Sequence, residues 1–259
     1  MSVLIIVFLT AVVALFSGVF EQGKFARYIG ILGLIIALWV SFMPEAAFFG
    51  QYRHMYDYTA NTALFTKISI VTTLLLFFLG GFAFSNHRSH QSELYALMLF
   101  ALCGGIILFG FQNLVTLFLG VEILSIPLYV MAGANKTDLR SNEASIKYFL
   151  MGAFATGFLL FGIAFIYGST GSFDLYKIQD FGVSNPKDVM FILGVLLILC
   201  AFFNIPFLAY AFLAVTLPTS QIIIGAAVAI EYFGYGFGFV GLILFMMQNI
   251  APGKYKMAH

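Results

Sequence analysis

Glu122 stands near the middle of an apolar run, residues 114–134, LVTLFLGVEILSIPLYVMAGA. A carboxylate in hydrocarbon costs roughly 2.5–3.5 kcal/mol on insertion scales. Such a group is kept where it faces a packed or hydrated interior, and its natural chemistry there is proton handling. It loads a proton when its surroundings favour the neutral acid, and releases it when a nearby cation favours the carboxylate. The competing reading is a carboxyl that stays protonated and only bonds helices together. Pro127, five residues on, removes a backbone donor and frees the carbonyl of Ile123, which invites water beside the acid. Ser125 offers a hydroxyl in the same turn.

Lys147 opens the next apolar run, SIKYFLMGAFATGFLLFGIAFIYG, and is the candidate cationic partner. With a helix rise of ~1.5 Å per residue, Glu122 lies on the order of 10 Å deeper, which one or two bridging waters would span. The alternative is a lysine that snorkels to the headgroups. Glu231 is a second acid inside an apolar run, 222–247, and reads either as a proton- or substrate-coupling group or as an interhelix hydrogen bond. Gly234 and Gly238 beside it have the GxxxG spacing that lets helices approach closely.

The elements that position these groups follow from composition. Of 259 residues, 62% are hydrophobic and 9% charged, with the charges gathered between apolar runs. About 20 apolar residues cross a hydrocarbon core as a helix, and the candidates are 3–20, 28–43, 68–84, 94–111, 114–134, 148–168, 189–215 and 222–247. Without water to satisfy the backbone, such runs must be helical. The expected fold is therefore all-α: a polytopic membrane protein of about eight transmembrane helices, with the lipid bilayer as its solvent.

Net charge of +1 gives no argument for nucleic acid. The cysteines, Cys103 and Cys200, lie inside expected spans without CxxC spacing, so neither a disulfide nor a metal site is expected. No bound cofactor is expected either. The opening MSVLIIVFLT lacks the basic segment of a signal peptide and reads as a retained first span. Lys24, Arg27, Arg88, Lys136, Arg140 and Lys147 fall on one side. Arg53, Lys67, Lys177 and Lys187 fall on the other, with Lys254 and Lys256 in the tail, a bias that leans toward an N-terminus outside. Residues 45–67 read as an interfacial loop, and 170–188 as an exposed loop. KTDLRSN ends in Ser141-Asn142-Glu143, which reads as a helix start.

Residues 92–175 closely resemble subunit N of the proton-pumping NADH:quinone oxidoreductase, respiratory complex I. The runs LVTLFLGVEILSIPLYVMAGA and SNEASIKYFLMGAFATGFLLFGIAFIYGSTG carry the resemblance, which extends loosely over the first 195 residues or so. It implies an antiporter-like membrane-arm subunit in a bacterial inner membrane, partnered by other membrane-arm subunits. NADH, flavin, iron–sulfur and quinone chemistry would then sit on those partners. Glu122 matches the family's fifth-helix glutamate and Lys147 the lysine opening its sixth helix, both regarded as proton-path residues.

The pattern then departs from the family. CAFFNIPFLAYAF keeps Pro206 and Phe207, but Ala201 occupies a lysine position and Leu208 a histidine position. The expected organisation is a subunit N-like region, 1–200, followed by a divergent hairpin and short polar tail, 201–259. The latter, with EYFGYGFGF and APGKYKMAH, resembles a piece of a major-facilitator permease. Three readings stay open: a proton-translocating subunit (incomplete for pumping alone), a solute permease fragment, and an inert membrane scaffold. A multi-subunit Na⁺/H⁺ antiporter subunit is a near relative of the first.

Overall fold

A computed structural model of the chain describes residues 1–19, 23–43, 54–83, 91–199 and 201. Its elements are α1 (Ser2–Val19), α2 (Gly23–Val40), α3 (Ala60–Ala83), α4 (Gln91–Phe109), α5 (Leu114–Ala132), α6 (Leu139–Thr170) and α7 (Leu175–Ser184). A short apolar helix, α8 (Val189–Leu199), follows. No strand occurs among the described residues; two isolated bridges pair Tyr56 with Phe111 and Asn113 with Asp174.

The all-α membrane architecture expected from the hydropathy pattern is present. Four helices, α3 to α6, are long and apolar enough to cross a membrane, while α1, α2 and α8 are shorter apolar helices in the places of three further expected spans. The eighth, 222–247, lies outside the described residues, as do Glu231, Leu208 and the GxxxG pair. The outward faces are apolar: Phe8, Phe16, Leu32, Trp39, Leu75 and Phe161 are all exposed. In water such a surface would be an aggregation liability; against lipid it is the ordinary outer face of a span. Some hydroxyls inside the spans close onto their own helices, as when Thr10 donates to the Ile6 carbonyl (2.7 Å) and Thr73 to that of Ser69 (2.8 Å).

α4 is the central post, packed against α1, α2, α3 and α5. Tyr95, Met98, Leu99, Leu102 and Ile106 from it are fully buried among Val7, Leu34, Ile70 and Phe77. A second apolar cluster joins Leu114, Leu117 and Val121 of α5 to Leu159, Ile163 and Ile166 of α6, Ile178 of α7, and Ala201. α5 belongs to both, since its Leu128 and Met131 pack with the α4 core. The acid at 122 is therefore carried on the helix that joins the two cores.

Three local expectations change. Residues 170–188 are not simply a loop: Asp174 accepts from Tyr176 N (2.9 Å) and caps α7, whose Ile178 turns inward. α6 begins at Leu139 with Asp138 as its cap, rather than at Ser141 or Asn142, because the Asp138 carboxylate reaches Arg140 N (3.0 Å). Ser141 instead donates to the Ala132 carbonyl (2.8 Å), an orphan acceptor at the end of α5. α3 begins at Ala60, so Lys67 lies inside it, its ammonium 4.3 Å from the Phe42 ring centroid.

One end of the bundle is tied by backbone bonds between three connections. Asp57 N donates to Gly110 O (2.8 Å), Gln112 N to Met55 O (3.0 Å), Leu114 N to Phe173 O (3.0 Å) and Leu175 N to Gln112 O (3.1 Å). This clasp fixes where α5 starts and how it faces the end of α6.

Candidate functional site

α5 runs unbroken for 19 residues from its cap at Asn113, whose side chain accepts from Val115 N (2.8 Å). Glu122 is half-buried near its centre. Pro127 is buried two residues before Tyr129 and does not end the helix. Ser125 points its hydroxyl at the Glu122 backbone carbonyl (3.4 Å), not at the carboxylate. Glu122, Ser125 and Tyr129 follow at spacings of three and four, the helical intervals that place side chains on one face.

Gly104 sets the depth of this face against α4. A Cβ built on it would lie 2.7 Å from Leu124 Cα and 2.8 Å from the Ile123 carbonyl carbon. Only glycine admits that approach, and the α5 backbone immediately after Glu122 rests on it. Small residues at such crossings allow close helix association where no hydrophobic force acts between spans.

Lys147 lies in the third turn of α6, and the ion pair seen for it is with Glu143, one turn earlier on the same helix. The lysine side chain is less exposed (30%) than its partner's (60%), so the pair sits at the rim with the cation on the inner side. An i,i+4 Glu–Lys pair contributes about 0.3–0.5 kcal/mol when solvated, too little to hold the ammonium permanently. Around it, α6 leans on the end of α5: Ser145 donates to the Tyr129 carbonyl (2.8 Å), and the Tyr129 ring meets Tyr148 edge-on with centroids 4.8 Å apart.

Glu122, Ser125 and Pro127 thus share one helix, and Ser145 and Tyr148 seat the start of α6 on Tyr129 of that helix, while Lys147 pairs with Glu143 along α6. Ala201, where the resembled family carries a lysine, is buried in the apolar cluster that includes Leu114, Leu117 and Val121 of α5. Among the described residues no group of three or more His, Cys, Asp or Glu gathers as a metal site would. Three participants were missed in the sequence. Glu143 was signalled by its i,i+4 spacing to Lys147, Tyr129 by its seven-residue spacing from Glu122, and Gly104 by nothing more than being one of 25 glycines.

Known proteins resemble this chain in sequence and in fold. Residues 112–253 match the family described as NADH:quinone oxidoreductase/Mrp antiporter, TM. That match runs through the stretch likened to a major-facilitator permease, which gains no support. A protein of Cytophaga hutchinsonii named NADH-quinone oxidoreductase subunit N is 49% identical over 138 residues, 53% of this chain and 30% of the relative. One of the same name from Flavobacterium johnsoniae is 37% identical over 173 residues, 67% of this chain and 37% of the relative. The chain thus aligns with about a third of the length of each.

Two solved structures share the fold. A chain in respiratory complex I from Thermus thermophilus with bound aureothin superposes with a TM-score of 0.59 at 22% identity, covering 96% of this chain and 53% of that one. A chain of the membrane-bound sulfane sulfur reductase, an archaeal respiratory membrane complex, gives 0.65 at 19%, covering 95% and 52%.

Proposed function

Because the chain belongs to the NADH:quinone oxidoreductase/Mrp antiporter family, we propose that it serves as a membrane-arm proton-translocation subunit of an NADH:quinone oxidoreductase, with Glu122 as proton carrier and Lys147 as its electrostatic partner. The observation that carries this reading is the half-buried carboxyl at the middle of α5, between two apolar cores and two turns from a buried tyrosine. A lone scaffold has no use for so costly a group.

The mechanism is electrostatic. In this reading Lys147 answers to two carboxylates: Glu143 at the rim, with which it pairs, and Glu122 deeper along α5, reached through bridging water. An ammonium withdrawn to Glu143 favours the charged form of Glu122 less than one that has moved inward. When the ammonium swings inward, the carboxylate is favoured and the proton leaves. The Glu143 pair is weak enough to break at each cycle.

Ala201 limits what this region does alone. An apolar methyl buried where the resemblance implies a lysine breaks the charge sequence beyond Glu122, so transfer across the whole membrane draws on other subunits or other parts of the protein. The oxidation of NADH, and the flavin, iron–sulfur and quinone groups it needs, belong to partner subunits. The setting is a bacterial inner membrane with the N-terminus outside.

The deciding experiment is Glu122→Gln in the assembled complex in sealed membrane vesicles, with NADH oxidation and proton uptake followed separately. Loss of uptake per NADH, with complex content unchanged, is expected. Uptake equal to wild type would reject the carrier role.

A further inference from the structure

α3 carries three buried hydroxyls, Thr62, Thr66 and Thr73, the last two with no exposed surface at all. Spacings of four and seven place them along one face of the helix. Two of the three are satisfied. Thr73 closes onto the Ser69 carbonyl (2.8 Å), and Thr62 Oγ1 lies 2.9 Å from the Thr59 hydroxyl and 3.2 Å from the Phe109 carbonyl at the end of α4. The Thr66 hydroxyl, fully buried, has no hydrogen-bond partner in the protein.

This orphan is an exception within the spans. Thr10, Thr72 and Thr73 each donate to the carbonyl four residues before them, and Ser17, Ser41 and Ser169 to the carbonyl three residues before. Such closure is how a lone hydroxyl is accommodated in a helix, and a buried one left unpaired costs its full desolvation. Thr66 does not close.

Thr62 stands one turn away, and side chains at that spacing have Cβ atoms about 5–6 Å apart. The gap is too long for a direct bond between the two hydroxyls, but suits two hydrogen bonds meeting at one oxygen. The donor count fits as well. Thr62 gives its one proton to the Phe109 carbonyl and accepts from Thr59, which leaves it one lone pair. A water that accepts from Thr66 and donates to that lone pair satisfies both. Its second proton falls to the spare lone pair of a helix carbonyl in the same turn. Space lies at this level too. Thr62 meets Phe109, and Phe77 meets Tyr95 with ring centroids 4.8 Å apart, so antiparallel α3 and α4 run in step and Thr66 comes level with Gly105. A Cβ on Gly105 would meet nothing within 4 Å. Ordered water is held where polar groups and room coincide.

We infer that Thr66 anchors an internal water, held between α3 and α4 one turn beneath the clasp and bridging to the Thr62 hydroxyl. Through Thr62 it joins the carbonyls of Asp57 (3.4 Å from Thr62 Oγ1) and Phe109, and so ties the buried turn of α3 to the polar end of the bundle. The site is independent of the carrier reading of Glu122.

The test is an electron cryomicroscopy map of the assembled complex, fine enough to show ordered solvent, prepared once in sodium salts and once with choline as the sole monovalent cation. A peak within hydrogen-bonding distance of both Thr66 Oγ1 and Thr62 Oγ1 is expected in the two maps. Absence of a peak in both, or a Thr66 hydroxyl turned onto the Thr62 carbonyl, overturns the inference. A peak lost in choline is an ion and overturns it too. The unfolding midpoint of the purified complex in detergent gives a second reading. Thr66→Val keeps the shape and removes the bond, so it is expected to lower the midpoint by more than Thr73→Val. A smaller or equal fall, or none, counts against the water, because deleting a hydroxyl that nothing satisfies is neutral or stabilising. Where the two readings differ, or Thr66→Val does not assemble, the wild-type maps decide.

Discussion

Gly162 of α6 and Gly194 of α8 face each other so closely that a Cβ on the first would lie 2.9 Å from the Gly194 carbonyl oxygen, and a Cβ on the second 3.0 Å from that of Gly162. The pair brings two backbones together, with Ile198 and Ile166 side chains filling the rest of the contact, the packing that spans use in place of a hydrophobic drive. It seats α8 beside the α5–α6 cluster, with Ala201 in the apolar contact that follows.

Replacing Gly162 by leucine forces these helices apart. Overpacking of a tight contact costs about 1–3 kcal/mol, and the expected result is a lower unfolding midpoint in a detergent titration of the purified complex. An unchanged midpoint would mean that α8 does not rest on α6.

Gly104→Ala acts nearer the acid. The added methyl meets backbone atoms of Ile123 and Leu124, which cannot rotate away, so α5 shifts as a unit. A loss of about 1–3 kcal/mol should come with reduced proton uptake per NADH, because Glu122 moves with its helix. Uptake that survives full destabilisation would separate the acid's position from its work.

Removing the rim partner should have the opposite sense to removing the lysine. In Glu143→Gln the ammonium loses its outer station, so the Glu122 carboxyl infrared band should vanish at lower pH than in wild type. Lys147→Ala should keep that band to higher pH. Two variants that leave the band unmoved would show that the pair and the acid are uncoupled.

Ala201→Lys places an ammonium in the cluster of Leu114, Leu117 and Val121. A charge at that depth costs roughly 2.5–3.5 kcal/mol, and the expected readout is a fall in complex content on quantitative blotting. Content equal to wild type would show that a hydrated route already reaches position 201.

Asp174→Ala removes the cap of α7. Loss of such a cap costs about 0.5–2 kcal/mol, expected as faster amide hydrogen exchange over residues 175–184 with α5 protection unchanged. The same variant releases His54, whose ring nitrogen lies 3.9 Å from the Asp174 carboxylate.

Hydropathy was enough to read the four long spans, α3 to α6, because a backbone in lipid has few choices. Glu122 stood out for the same reason, as a charge where none is tolerated idly. α7 escaped notice because ten residues with Gly182, Asn185 and three aspartates nearby read as turn chemistry, although Asp174 before Leu175 was a legible cap. Glu143 and Tyr129 needed three-dimensional neighbours to acquire meaning: spacing alone says which face they share, not what stands opposite. Gly104 is significant only through what a methyl would strike, and no pattern in one chain shows that.

α5 and α6 are fastened at both ends, by the clasp through Leu114 and Phe173 and by the serines of α6 on the last carbonyls of α5. Two rods pinned twice cannot scissor. Under the proposed mechanism, the charge of Lys147 therefore moves by rotation about its own side-chain bonds, and side-chain rotamer changes run on picosecond-to-nanosecond scales. On that proposal a step so fast is not the clock of a turnover, and the delay that separates loading from release is imposed from outside this helix pair.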